Sequence, residues 1–77
     1  MPTVLKIAGL RFFFYSNEGA EPHHIHVEKG DNAAKFWLIP VELSNSYGFS
    51  AKEIHKIRTL VVENQGIFIK HWNEYFN

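Results

Sequence analysis

Three of the five histidines in this 77-residue chain fall within four positions, in the stretch Glu21-Pro22-His23-His24-Ile25-His26-Val27-Glu28. His24 and His26 are two residues apart. In an extended strand their rings therefore project from one face, about 7 Å apart at the backbone. A pair so placed suits three kinds of chemistry. Neutral imidazoles ligate zinc and similar ions. With pKa values near neutrality, one ring can accept a proton while the other donates, as phosphoester cleavage requires. Protonated rings bind anions, and Arg11, Lys6 and Lys35 on the same face would offset charge developing on a phosphate. His23 points the opposite way and is peripheral.

A metal site needs a third ligand. Glu28 continues the face of His24 and His26, and Glu18, Glu21, His55 and His71 are further donors. No H-x-x-x-H or cysteine spacing ties any of them to the pair, so neither a metal nor another cofactor is expected. The bland alternative is that the two rings are simply solvated surface. Ser16 reads as a turn residue rather than a nucleophile, because no G-x-S-x-G elbow surrounds it. Phe13, Tyr15 and Trp37 suit base stacking, as on the sheets of RNA-binding modules, and equally suit a protein interface.

The elements that carry these residues follow from periodicity. Val4–Ala8, Arg11–Tyr15, His24–Glu28 and Ala33–Ile39 read as strands, with a hairpin at Gly9-Leu10 and a second at Lys29-Gly30-Asp31-Asn32. Ser16 to Pro22 is an exposed loop. Pro40 closes the fourth strand, which Val41-Glu42-Leu43 extends after a kink. Ser50-Ala51-Lys52-Glu53 then matches a capping box, and Ile54, Ile57 and Val61 recur at helical spacing over about residues 51–64. After Asn64-Gln65-Gly66, Phe68, Trp72, Tyr75 and Phe76 mark one face of a second helix running to the C-terminus.

The expectation is one α+β domain over residues 1–77. It has a four-stranded antiparallel sheet followed by two C-terminal helices packed on one face, in the order ββββαα. Alternation assigns Leu5, Ile7, Phe12, Phe14, Ile25, Val27, Ala34, Phe36 and Leu38 to the helix side. Lys6, Arg11, Phe13, Tyr15, His24, His26, Glu28, Lys35 and Trp37 fall on the other, open face.

Composition narrows the function classes. An apolar fraction of 45% and an aromatic fraction of 16% exclude a disordered chain. A chain this short buries only roughly 60% of its unfolded surface, so a partner, including a second copy, would help stabilise it. The lack of cysteine excludes disulfides and thiolate metal sites and fits the cytoplasm. No signal peptide or membrane-spanning run is expected. Eight basic residues balance eight acidic ones, so any nucleic-acid contact must be local.

Taken together, several blocks resemble a known family. They are Met1-Pro2-Thr3-Val4-Leu5, Arg11-Phe12-Phe13-Phe14-Tyr15-Ser16-Asn17-Glu18, Pro22 with His24-Ile25-His26-Val27, Ala34-Lys35-Phe36-Trp37-Leu38, Gly48-Phe49-Ser50 and the tryptophan of the last helix. The chain resembles, over nearly its whole length, a small bacterial family catalogued as domain of unknown function 4160. Its P-x-H-x-H motif maps onto Pro22, His24 and His26, and family members often carry a second proline where this chain has His23. Such proteins are commonly encoded beside a member of the domain of unknown function 2442 family. The resemblance thus implies the toxin position of a toxin–antitoxin module, neutralised by direct binding, without supplying a reaction.

The leading expectation is a toxin-like protein acting on RNA, or on the ribosome, by metal-independent histidine chemistry. His24 and His26 would transfer protons, Arg11 and Lys35 would hold phosphate, and Tyr15 and Trp37 would position the substrate. Two readings compete with it: a non-catalytic protein-binding module and a small metal-dependent hydrolase.

Overall fold

The computed structural model describes residues 3–76. Met1 and Pro2, which contribute to the family resemblance, and Asn77, to which the sequence extends the expected second helix, lie outside the described residues. Five strands are followed by two helices: β1 (Thr3–Ile7), β2 (Leu10–Phe13), β3 (His24–Lys29), β4 (Asn32–Leu38), β5 (Val41–Tyr47), α1 (Ala51–Glu63) and α2 (Gln65–Phe76). The strands pair antiparallel in chain order, β1-β2-β3-β4-β5, as a simple meander. The α+β class and the helix pair agree with the sequence reading, but the sheet has five strands rather than four.

The additional strand has a physical explanation. Ile39-Pro40 forms a tight reversal rather than a kink, and Val41–Tyr47 returns alongside β4, with Leu38 opposite Val41 and Ala33 opposite Tyr47. Val41 and Leu43 pack against the core, but Ser44, Asn45 and Ser46 then break the apolar alternation. A bulge opposite Lys35/Phe36 adds one residue on β5, which hides the period further. β2 also stops at Phe13, so Phe14 and Tyr15 belong to the following loop.

Both remaining hairpins turn over two residues. Ala8 and Gly9 have φ of 53° and 80°, the paired positive values of a type I′ turn. The β3–β4 turn places Gly30 at its first central position. Helix α1 starts on the expected capping box: Glu53 N–H donates to Ser50 Oγ at 3.1 Å, and Ser50 N–H donates to Glu53 Oε1 at 2.9 Å. It ends at Asn64, whose N–H and side-chain amide both donate to the Leu60 carbonyl.

One face of the sheet supplies Phe12, Ile25, Val27, Ala34, Phe36 and Leu38 to the core, Phe14 joins them from the loop just past β2, and Leu5 and Ile7 pack at the margin. The helices answer with Ile57 and Val61 from α1 and Phe68 and Trp72 from α2. Phe12 stacks on Phe68 with ring centroids 5.3 Å apart. Fully burying the larger of these side chains contributes roughly 1.5–3 kcal/mol each and sets which strand face turns outward.

The outward face is less open than alternation alone suggests. The loop from Phe14 to His23 folds back across it, held by a turn in which Glu18 N–H donates to the Tyr15 carbonyl. At Gly19 a Cβ would lie only 2.6 Å from the Phe76 ring, so the missing side chain lets this loop close onto the end of α2. That closure brings a carboxylate over the two histidines.

Candidate functional site

Register places the polar side chains in rows across the outward face. Phe13, His26, Lys35 and Asn45 stand opposite one another on β2, β3, β4 and β5. His24 lies opposite Trp37 one pleat away, and Arg11 lies opposite Glu28 in the other direction. The two imidazoles share a face, as their spacing predicts, with ring centroids 5.1 Å apart and nearly perpendicular.

Glu18 is the hub. Its Oε1 lies 2.9 Å from His24 Nε2 and 2.9 Å from His26 Nε2, while Oε2 lies 3.0 Å from the latter. The Tyr15 N–H also donates to Oε1, at 3.1 Å. Three nitrogens therefore converge on one carboxylate oxygen. The His24 side chain is 0% exposed, against 17% for His26 and 14% for Glu18. Only His26 and the carboxylate edge can meet a solute. Burial of Glu18 pushes its pKa up, but hydrogen bonds from His24, Tyr15 N–H and His26 together outweigh it and hold the carboxyl below its usual range. Burial of His26 dominates the attraction of Glu18 and lowers its pKa below the ordinary imidazole value.

His24 Nδ1 lies 2.9 Å from the Pro22 carbonyl, which can only accept. A neutral imidazole has a single N–H. With that proton on Nδ1, the Nε2 lone pair faces the lone pairs of Glu18 Oε1. A cation between them would satisfy both. The His24 ring meets the walls of Trp37 and Trp72 edge-on, with centroids at 5.8 and 4.8 Å.

The residues singled out from the sequence divide into those the fold gathers and those it holds apart. Tyr15 packs against His26 at 4.7 Å between ring centroids. Lys35 neighbours His26 on β4, with its ammonium over Trp37 and ion-paired to Glu21 at 2.8 Å. Arg11 stands one row away. Its guanidinium bonds Glu28 at 2.6 Å and Thr3 at 2.9 Å and lies over the Phe13 ring, which in turn stacks on His26. His23 turns aside to Asn73 and Trp72, as expected of a peripheral residue.

Four contributors carry no assignment from the sequence. Glu18 is one of several donors the sequence offers, and its place in a tight turn starting at Tyr15 is the one local signal that singles it out. Trp72, read as packing, also closes the inner side of His24. Asn45 and Tyr47 were hidden with β5. Together with Tyr15, His26 and Lys35 they line a shallow groove of about 380 Å³ that begins at the exposed edge of His26. Tyr47 is 75% exposed on its rim.

The molecule is thus a small α+β domain in which a strand H-x-H pair and a loop carboxylate meet on the outward face of a helix-backed antiparallel meander. Residues 9–73 match the family described as Domain of unknown function (DUF4160), and the chain belongs to that family. Comparison with the curated proteins and with the solved structures gives no match.

Proposed function

We propose that this protein is the toxin-like component of a two-gene module, and that Glu18, His24 and His26 are the reacting centre of an RNA phosphoester cleavage. The observation that carries this reading is the clasp of one carboxylate by two imidazoles at the mouth of a groove holding Lys35, Tyr15 and Asn45. Cleavage needs a group that activates the attacking oxygen and a cation that offsets phosphate charge. His26, backed by Glu18, is the accessible member of the cluster for the first task. In the metal-independent form of the reaction its lowered pKa keeps the ring neutral at pH 7 and able to accept a proton. Lys35 serves the second task, with Tyr15 and Tyr47 offering faces for a base. His24 acts through Glu18 as a positioning residue, since it has no exposed surface. Trp37 supports Lys35 from below, and Arg11 borders the site. The neutralising partner is the small protein of the neighbouring gene, as the family resemblance implies.

Induced expression in bacteria, with and without the neighbouring gene, tests this reading. Wild type should arrest growth and the neighbour should relieve it. His26→Ala protein, shown by circular dichroism to be folded, should be harmless. Arrest that survives His26→Ala removes the assignment. A lack of arrest by wild type favours a non-catalytic binding module.

A further inference from the structure

We propose that Glu18, His24 and His26 bind one divalent transition-metal ion of the zinc class, with the open coordination position on the His26 side, toward the groove. The inference rests on the reading of this cluster as the reacting centre and deepens it.

One donor atom from each residue lies within 4.8 Å of the other two. A tetrahedral ion with bonds of about 2.0–2.2 Å needs its ligands about 3.3 Å apart. The imidazole nitrogens already stand 2.9 Å from Glu18 Oε1, within about 0.4 Å of that spacing, and with all three donors inside 4.8 Å of one another small side-chain rotations of the carboxylate and the rings would admit an ion. His24 Nδ1 faces the Pro22 carbonyl at 2.9 Å, and a proton there is the arrangement that fixes the tautomer of a ligating histidine and aims the Nε2 lone pair at a metal. A cation between Nε2 and Oε1 satisfies both lone pairs without a buried imidazolium.

The donor set selects the ion. Two imidazoles and one carboxylate suit zinc and its first-row neighbours, whereas calcium and magnesium prefer oxygen donors throughout. Nearby cations do not oppose binding, because Lys35 and Arg11 are each paired with their own carboxylate, Glu21 and Glu28. Three protein ligands and one free position define a catalytic rather than a structural zinc site. When bound, such an ion lowers the pKa of a coordinated water to about 7 and so supplies the attacking oxygen. His26 then serves as a ligand, and the free-imidazole form of the reaction is replaced.

The test uses full-length protein without a histidine tag, stripped with chelator and titrated with Zn²⁺ by calorimetry and with Co²⁺ by visible absorption. Wild type should bind one ion per chain, with the intense d–d bands of four-coordinate cobalt and a raised Tm. Glu18→Gln and His26→Ala should each weaken binding at least about 100-fold, exceeding the usual effect of losing an outer-shell partner. His55→Ala and His71→Ala, both on exposed helix positions, should leave it unchanged. Should either site variant fail to fold, the other carries the comparison, and Glu18→Asp should bind with altered cobalt bands. Binding that is absent in wild type, or that survives Glu18→Gln and His26→Ala but is lost with His55 or His71, overturns the site. Growth arrest that depends on His26 in a protein binding no metal would overturn this inference and leave the reacting centre standing. One-to-one binding by a protein that causes no arrest would do the reverse.

Discussion

Removing the Glu18 side chain is the sharpest test of how the outward face is held together. In Glu18→Ala, His24 Nε2 loses its partner at a site with no exposure, so no water replaces it without rearrangement. Leaving such a group unsatisfied costs about 1–3 kcal/mol. His26 also loses its contact, but its partial exposure lets water substitute, at a cost of about 0.5–1.5 kcal/mol. The Tyr15 N–H lies on an exposed residue and adds little. Glu18→Ala should therefore destabilise the metal-free protein by about 2–4 kcal/mol, a large share of the roughly 4–12 kcal/mol expected for 77 residues. Glu18→Gln, which keeps one acceptor oxygen, should cost less than half as much. Glu21→Ala is the contrast: its pair with Lys35 is solvent-facing and worth less than about 1 kcal/mol. Urea unfolding in chelator, followed by circular dichroism and by tryptophan emission, measures all three. Trp37 and Trp72 flank His24, so the emission also reports locally. If Glu18→Ala costs under about 0.5 kcal/mol at unchanged m-value, or no more than Glu21→Ala, the clasp does not hold the loop.

Two further outcomes are expected. Ala8 occupies the left-handed region at φ 53°, where an L-residue with a Cβ is disfavoured by about 1–2 kcal/mol, so Ala8→Asn should raise stability by a good part of 1 kcal/mol in the same assay; a loss would show that the turn is not type I′. The metal-free protein should also lose stability as pH falls from 7. His26 has a folded pKa below its unfolded value, so its contribution is complete above about pH 6.5 and is lost as pH falls below it; that of Glu18, also depressed, is present above the carboxylate range and goes as pH falls through its folded pKa. His26→Gln should flatten the upper part of that profile, and a Tm constant from pH 7 to pH 5 would contradict the assigned shifts.

Much of this architecture was legible along the chain. Ser50 and Glu53 mark the start of α1 because a capping box is a contact between residues three apart, and Ile57, Val61, Phe68 and Trp72 mark the buried helix faces because a helix repeats locally. Strict alternation from Ile25 to Val27 and from Ala34 to Leu38 likewise determines which strand faces meet the helices, and hence that His24 and His26 point together and away from them. β5 escaped because Ser44, Asn45 and Ser46 carry no apolar period and a bulge shifts the register.

What only the tertiary structure decided is the identity of the third group and the accessibility of the pair. A loop has no period, so nothing in Ser16-Asn17-Glu18-Gly19 says where its carboxylate will land. That depends on Gly19 closing against Phe76 and on Trp72 reaching round the end of β3. The same closure makes the two histidines unequal, sealing His24 and leaving the edge of His26 at the groove. Spacing defines a pair of rings on one face; the long-range packing of α2 and the loop turns that pair into a three-donor centre with one open side.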